Sequence, residues 1–240
     1  RKAGGFLLAT GDGFAAWDGN NEMALFPKPE GGFSGRRFND CRVDPQGRFF
    51  AGTLSDKPEC ALYRLDTDLS IHTVETGITI SNGLGWSPDG SYFYLTDSPK
   101  RVIYRYDWNS LAGEISNREV FIRVPDDPAE GVPDGLCIDA EGCIWSARWG
   151  GWKVVRYSPE GEVVAEVRLP TALVRSMLRS KISISLCSQS VGTVMFFRDC
   201  TFGTHDDQSR SHRLLLNKNR RYCFSVDNIP TTEVGAHPCN

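Results

Sequence analysis

Apolar and polar positions alternate in short runs through the first two-thirds of the chain, and Gly, Pro and Asp break the runs at close intervals. That is the grammar of strands joined by tight turns. Residues 82–124 show it most clearly. An apolar run at 83–87 meets the turn Pro88-Asp89-Gly90, and runs at 92–96, 101–107 and 119–124 follow, with Val102, Tyr104 and Tyr106 on one face. The preceding segment repeats the scheme at 49–53, 61–66 and 72–76. Residues 4–27 read as the second to fourth strands of a still earlier unit, whose first strand would fall before residue 1.

The units share a signature. RFNDCRVDPQGRFFAG from Arg37, SNGLGWSPDGSYFYLTD from Ser81 and PDGLCIDAEGCIW from Pro133 each place a polar residue (Asn39, Asn82, Asp134) eight positions before a turn glycine (Gly47, Gly90, Gly142). The three copies are 43 and 52 residues apart. A repeat of ~40–50 residues built of strands and turns predicts an all-β propeller with one four-stranded blade per period. The segments 83–87 and 135–139 are then innermost strands. Innermost strands line the central channel, so Asn39, Asn82 and Asp134 would enter it at one height from successive blades. Their oxygens are hard donors suited to Ca²⁺, Mg²⁺ or Mn²⁺, or to Zn²⁺ in a mixed site. Taken singly, Asn and Asp at such positions are ordinary turn residues. The common register favours a functional ring.

Composition narrows the class without changing it. The chain has 240 residues, 40% of them hydrophobic, and a formal charge of −3, which gives no reason to expect nucleic acid or an anionic membrane as partner. The eight cysteines form no C-x-x-C pair, and Cys41, Cys137 and Cys143 fall in predicted strands as buried thiols. A cytoplasmic setting is the expectation. No G-x-S-x-G elbow or phosphate-binding loop occurs.

The pattern fades after about Thr171. All six tryptophans and 21 of the 24 glycines precede that point, and the net charge changes from −7 over residues 1–172 to +4 over 173–240. The expected organisation is a partial propeller over 1–172 and a tail over 173–240 with no clear blade. A chain so built, with inner strand and closing blades missing, would be unstable or inactive in isolation, because a propeller buries each blade against two neighbours.

In the three signature blocks the sequence resembles the SMP-30/gluconolactonase family, also called regucalcin-like proteins, over about residues 4–172. The resemblance implies a six-bladed β-propeller, incomplete here, with one divalent metal ion (Ca, Zn, Mg or Mn) in its channel and a small-molecule lactone as substrate. It places Asn82 and Asp134 on two protein ligands of the metal, and Arg37 and Asn39 on residues that contact substrate. The family's further glutamate ligand, from its first blade, has no counterpart in this sequence, and Cys41 stands where glycine is usual. A later Cys200-Thr-Phe-Gly resembles another family block.

The implied function is divalent-metal-dependent hydrolysis of sugar lactones, with Asp134 both ligand and general base. The alternative is a non-catalytic calcium-binding or interaction propeller of the regucalcin kind. Antiparallel pairing adds Asp97, Arg148 and Trp149 near the channel mouth, each with a structural role as the simpler account.

Overall fold

The structure is a computed structural model that describes residues 5–19, 23–27, 36–55 and 59–168, together with the backbone of four short strands beyond them. The described residues are almost wholly β. A three-stranded sheet holds β1 (Phe6–Thr10), β2 (Gly13–Trp17) and β3 (Met23–Leu25). Three four-stranded antiparallel sheets follow in chain order: β4 (Arg37–Val43) to β7 (Ile71–Ile78), β8 (Ser81–Trp86) to β11 (Glu114–Arg123), and β12 (Val132–Ile138) to β15 (Val163–Arg168). The strands between are β5 (Phe49–Leu54), β6 (Cys60–Leu65), β9 (Tyr92–Asp97), β10 (Val102–Asn109), β13 (Ile144–Trp149) and β14 (Lys153–Tyr157). Each sheet is a meander, and its first strand forms one edge. Strand β8 lies against β4 on one side and β12 on the other. First strands of successive sheets therefore neighbour one another, which is the arrangement of blades around a propeller axis.

Where the sequence predicts no blade, strands Arg175–Arg179, Ser183–Cys187, Tyr222–Ser225 and His237–Pro238 pair in that order, and the first lies against β12. The rest of that stretch, including Cys200, is outside the described residues.

The turns after the first strands explain the repeated glycine. Gly47, Gly90 and Gly142 have φ of 89°, 72° and 80°. Their N–H groups donate to Asp44 O, Ser87 O and Asp139 O, each at 3.0 Å. A left-handed residue closing such a turn costs glycine least. The polar residue at the turn's start completes it: Asp44 Oδ1 accepts from Gln46 N and Arg48 N at 2.9 and 2.8 Å, and Asp139 Oδ1 accepts from Glu141 N and Cys143 N at 3.0 and 2.9 Å.

Strand alternation sends apolar side chains to both faces of the middle sheet. Phe93, Leu95, Val102, Tyr104, Tyr106 and Trp108 pack with Phe50, Leu62 and Ile78 of the preceding sheet. Tyr94, Ile103 and Ile122 pack with Leu136, Ile144, Val155 and Tyr157 of the following one. Two-sided burial is why β8 and β9 carry few charges. Of the predicted buried cysteines, Cys41 and Cys137 lie in strands and Cys143 just before one; all three are buried.

A charged clamp reinforces the contact between the first two of these blades. Arg48 Nε donates to Asp44 Oδ2 at 2.6 Å, while its Nη2 and Nη1 reach Ser110 O and Leu111 O at 2.6 and 3.2 Å. Arg64, held by both oxygens of Asp66, donates to Ala112 O and Gly113 O at 3.1 and 2.5 Å. Four successive carbonyls of the β10–β11 turn are thus held by the neighbouring blade. Removing one partner of a buried ion pair strands the other, so Arg48→Ala is expected to lower unfolding free energy by about 3 kcal/mol. Urea denaturation checks this, and a loss below about 1 kcal/mol would show the clamp to be ornamental.

Candidate functional site

The signature strands share a feature that no alternation pattern reveals. Pairing slips between Phe38 and Cys41 on β4, between Ser81 and Leu84 on β8, and between Pro133 and Leu136 on β12. In each, two residues of the first strand stand against one of the second: Asn39 and Asp40 against Gly52, Asn82 and Gly83 against Thr96, Asp134 and Gly135 against Ala147. A β-bulge of this kind bends the strand and re-aims a side chain. All three bulges fall on the polar residue of the signature. The repeat in sequence is therefore a repeat of bulges at one level of the propeller.

The strands approach closely there. A Cβ added at Gly83 would lie 2.6 Å from Gly135 C and 2.0 Å from Leu136 N. Asn82 and Asp134 immediately precede these touching residues, and each is only 7% exposed. On the other flank, Asn39 Nδ2 donates to Ser81 O at 2.9 Å and to Asn82 Oδ1 at 3.1 Å. Asn82 Nδ2 donates to Ser98 Oγ at 2.9 Å, and Ser98 Oγ donates to Pro133 O at 2.6 Å. One hydrogen-bonded chain thus runs from β4 through β8 to the residue before Asp134.

Three of the four predicted site residues are brought together in this way. Arg37 starts β4 two residues before Asn39; it is exposed, and its Nη1 donates to Phe38 O at 3.3 Å. Sequence reasoning missed Ser98 and Arg42, whose Nη1 ties β4 to Leu84 O at 2.9 Å. The signal for Ser98 was its place at the end of β9, beside the already noted Asp97. Asp97 itself caps the backbone: its carboxylate accepts from Thr79 N and Ile80 N and pairs with Lys100 Nζ at 2.9 Å.

Arg148 stands opposite Pro133 and is fully buried. It donates to Ser146 Oγ at 2.6 Å and to Tyr157 Oη, while its Nε has no partner. Burial pulls its guanidinium below the ordinary value. Trp149, paired with Val132 at the same end of the sheet, is 54% exposed.

The donor set is hard and of low charge. Asn82 offers an amide oxygen and Asp134 a carboxylate, from adjacent strands at one level. That chemistry suits an oxygen-seeking divalent ion. Among the described residues no cluster of three or more His, Cys, Asp or Glu side chains could hold a metal.

Comparison with known proteins fixes the class. The SMP-30/Gluconolactonase/LRE-like region model matches residues 1–178, and the chain belongs to that family. It is 45% identical over 142 residues to a pentonolactonase of Haloferax volcanii, covering 59% of this chain and 48% of the relative. It is 38% identical to regucalcin of Danio rerio, with 73% of this chain and 61% of the relative covered. The 6-deoxy-6-sulfogluconolactonase of Pseudomonas putida is also 38% identical, over 71% of this chain and 60% of its own. Among solved structures, a calcium-binding protein, regucalcin, from Agrobacterium tumefaciens superposes with a TM-score of 0.67 at 27% identity, covering 75% of this chain and 63% of that one. The chain thus spans about half to two-thirds of the length of these relatives. The fold is the propeller of the SMP-30/gluconolactonase type.

Proposed function

We propose that the whole protein hydrolyses sugar lactones with the help of one divalent cation, and that Asn82 and Asp134 are two of the ligands. The observation that carries this reading is the run of in-register bulges, which sets Asn39, Asn82 and Asp134 on adjacent inner strands joined by hydrogen bonds. Relatives named as pentonolactonase and sulfogluconolactonase supply the substrate class.

When bound, a divalent ion polarises an ester carbonyl and acidifies water. The protein's own groups do the rest. Asp134 takes the proton of the attacking water, as a base within hydrogen-bond reach. Asn82 contributes a neutral oxygen, which leaves the site positive where charge develops on the carbonyl oxygen. Arg37, exposed at the start of β4, and Asn39 donate to lactone and hydroxyl oxygens and so orient the ring. The cellular setting proposed is the cytoplasm; among the described residues no helix is long and apolar enough to cross a membrane.

Assays of a sugar-lactone panel with Ca²⁺, Mg²⁺, Mn²⁺ and Zn²⁺ test the reading. Hydrolysis is expected to fall at least ~100-fold on chelation and to return with one of these ions. Arg37→Ala is expected to raise KM about tenfold with little change in kcat, the mark of a group that binds without reacting. Chelator-insensitive turnover would refute it. A second reading, a calcium-binding propeller without turnover, is favoured by the regucalcin relatives and by the calcium-binding regucalcin of Agrobacterium tumefaciens. Saturable Ca²⁺ binding with no hydrolysis of any lactone would select it.

A further inference from the structure

Ser98 occupies the junction between the two proposed ligands. It follows β9, is 6% exposed, and its N–H donates to Ile80 O at 3.3 Å. Its hydroxyl lies between Asn82 Nδ2, at 2.9 Å, and Pro133 O, at 2.6 Å. The direction of each bond in this chain is forced. Both ends are backbone carbonyls, Ser81 O and Pro133 O, which can only accept. A hydroxyl has one proton, so Ser98, in giving it to Pro133 O, can offer Asn82 only a lone pair. Asn82 must answer with its NH₂. Its Oδ1 then faces the other way, where Asn39 Nδ2 donates to it at 3.1 Å. Turning the amide over would set oxygen against Ser98 Oγ and NH₂ against NH₂, and both bonds would be lost.

We infer that Ser98 is a positioning residue for the cation site. It fixes Asn82 with its oxygen presented to Asn39 and the inner strands, and it ties that side chain to the peptide leading into Asp134 on the next blade. The two proposed ligand oxygens, carried by different blades, are held in relation to each other by one hydroxyl. This rests on the reading of Asn82 and Asp134 as ligands. It adds a role for a residue that touches neither cation nor substrate.

Calorimetric titration of the whole protein with Ca²⁺, Mg²⁺, Mn²⁺ and Zn²⁺, beside its thermal unfolding midpoint, tests the inference. Ser98→Ala is expected to weaken binding of the preferred ion ~10–100-fold, the range seen when partners of metal ligands are removed. Ser98→Thr keeps the hydroxyl and should bind within about threefold of wild type. Ser98→Cys fills the space with a weak donor and acceptor, and serves if the alanine variant fails to fold; it is expected to lose at least about fivefold. Wild-type affinity in a folded Ala or Cys variant, with only the unfolding midpoint lowered, overturns the inference and reduces Ser98 to a structural link. Asn82→Ala separates the two claims. If it abolishes binding while Ser98→Ala does not weaken it, the inference alone fails. If none of the four ions binds the wild type, or Asn82→Ala binds as well as wild type, the ligand reading fails and the inference falls with it.

Discussion

Asp134→Ala is expected to lower kcat/KM for a sugar lactone by at least ~10³-fold, about 4 kcal/mol of transition-state stabilisation. Two losses combine in that figure. The substitution removes the single carboxylate of the proposed ligand pair, and it removes the base that takes the proton of water, a function that typically supplies ~10²–10⁴-fold by itself. The residue lies in a bulge between Pro133 and Leu136, which pair with Arg148 and Ser146, and alanine keeps every backbone donor and acceptor of the strand. Near-unchanged circular dichroism should accompany the loss of activity. Asp134→Asn divides the two roles, since an amide keeps the volume and one oxygen donor but has neither charge nor basicity. It should retain weakened cation binding and hydrolyse ~10²-fold or more slowly than wild type. Hydrolysis by the alanine variant within about tenfold of wild type would eliminate Asp134 as ligand and base.

The blade order was legible in the sequence because its cause is local. A turn such as Ser87-Pro88-Asp89-Gly90 needs a polar residue and a left-handed glycine within four positions, and alternation on either side needs only neighbouring residues. The strand at 101–107 is seen at Val102–Asn109, with Val102, Tyr104 and Tyr106 buried against the preceding blade, as the pattern predicts. Strand ends were less legible. The outer strand expected at 119–124 begins at Glu114, because pairing with Asn109 across the β10–β11 turn extends it through exposed polar residues that carry no apolar signal.

The site was legible in part for the same reason. The register of Asn39, Asn82 and Asp134 can be counted along the chain. The bulges that re-aim them cannot, for a bulge is a relation between two strands. The position of Ser98 beside Asp97 could be read, but its role could not: its partners, Asn82 and Pro133, stand 16 and 35 residues away on two different blades. Arg48 and Arg64 posed a similar difficulty. Each sits beside an acidic residue that suggests a local pair, whereas their guanidinium groups also secure carbonyls some 48 to 63 residues away.

Gly83→Ala is expected to destabilise the protein by about 3 kcal/mol, although the new methyl group is small. Gly83 has no left-handed φ, so the backbone itself would accept alanine. Space forbids it. The added Cβ would stand 2.0 Å from Leu136 N and 2.6 Å from Gly135 C, both backbone atoms of the adjacent inner strand. No rotamer change relieves such a contact, and β8 and β12 must separate. Separation would loosen the packing of Leu136 and Ile144 against Tyr94 and Ile103, and would pull Asn82 away from Asp134. The entropy removed from the unfolded chain by Gly→Ala offsets only ~0.4–1 kcal/mol. Gly90→Ala is the matched control. Its φ of 72° is strained for alanine, but nothing lies within 4 Å of the added Cβ. That change should cost about 1–2 kcal/mol through backbone conformation alone and leave lactone hydrolysis near the wild-type rate. Urea unfolding of the two variants side by side reads the difference. A Gly83→Ala protein no less stable than Gly90→Ala would mean that the inner strands do not meet at that residue, and the close approach that sets Asn82 beside Asp134 would have to be abandoned.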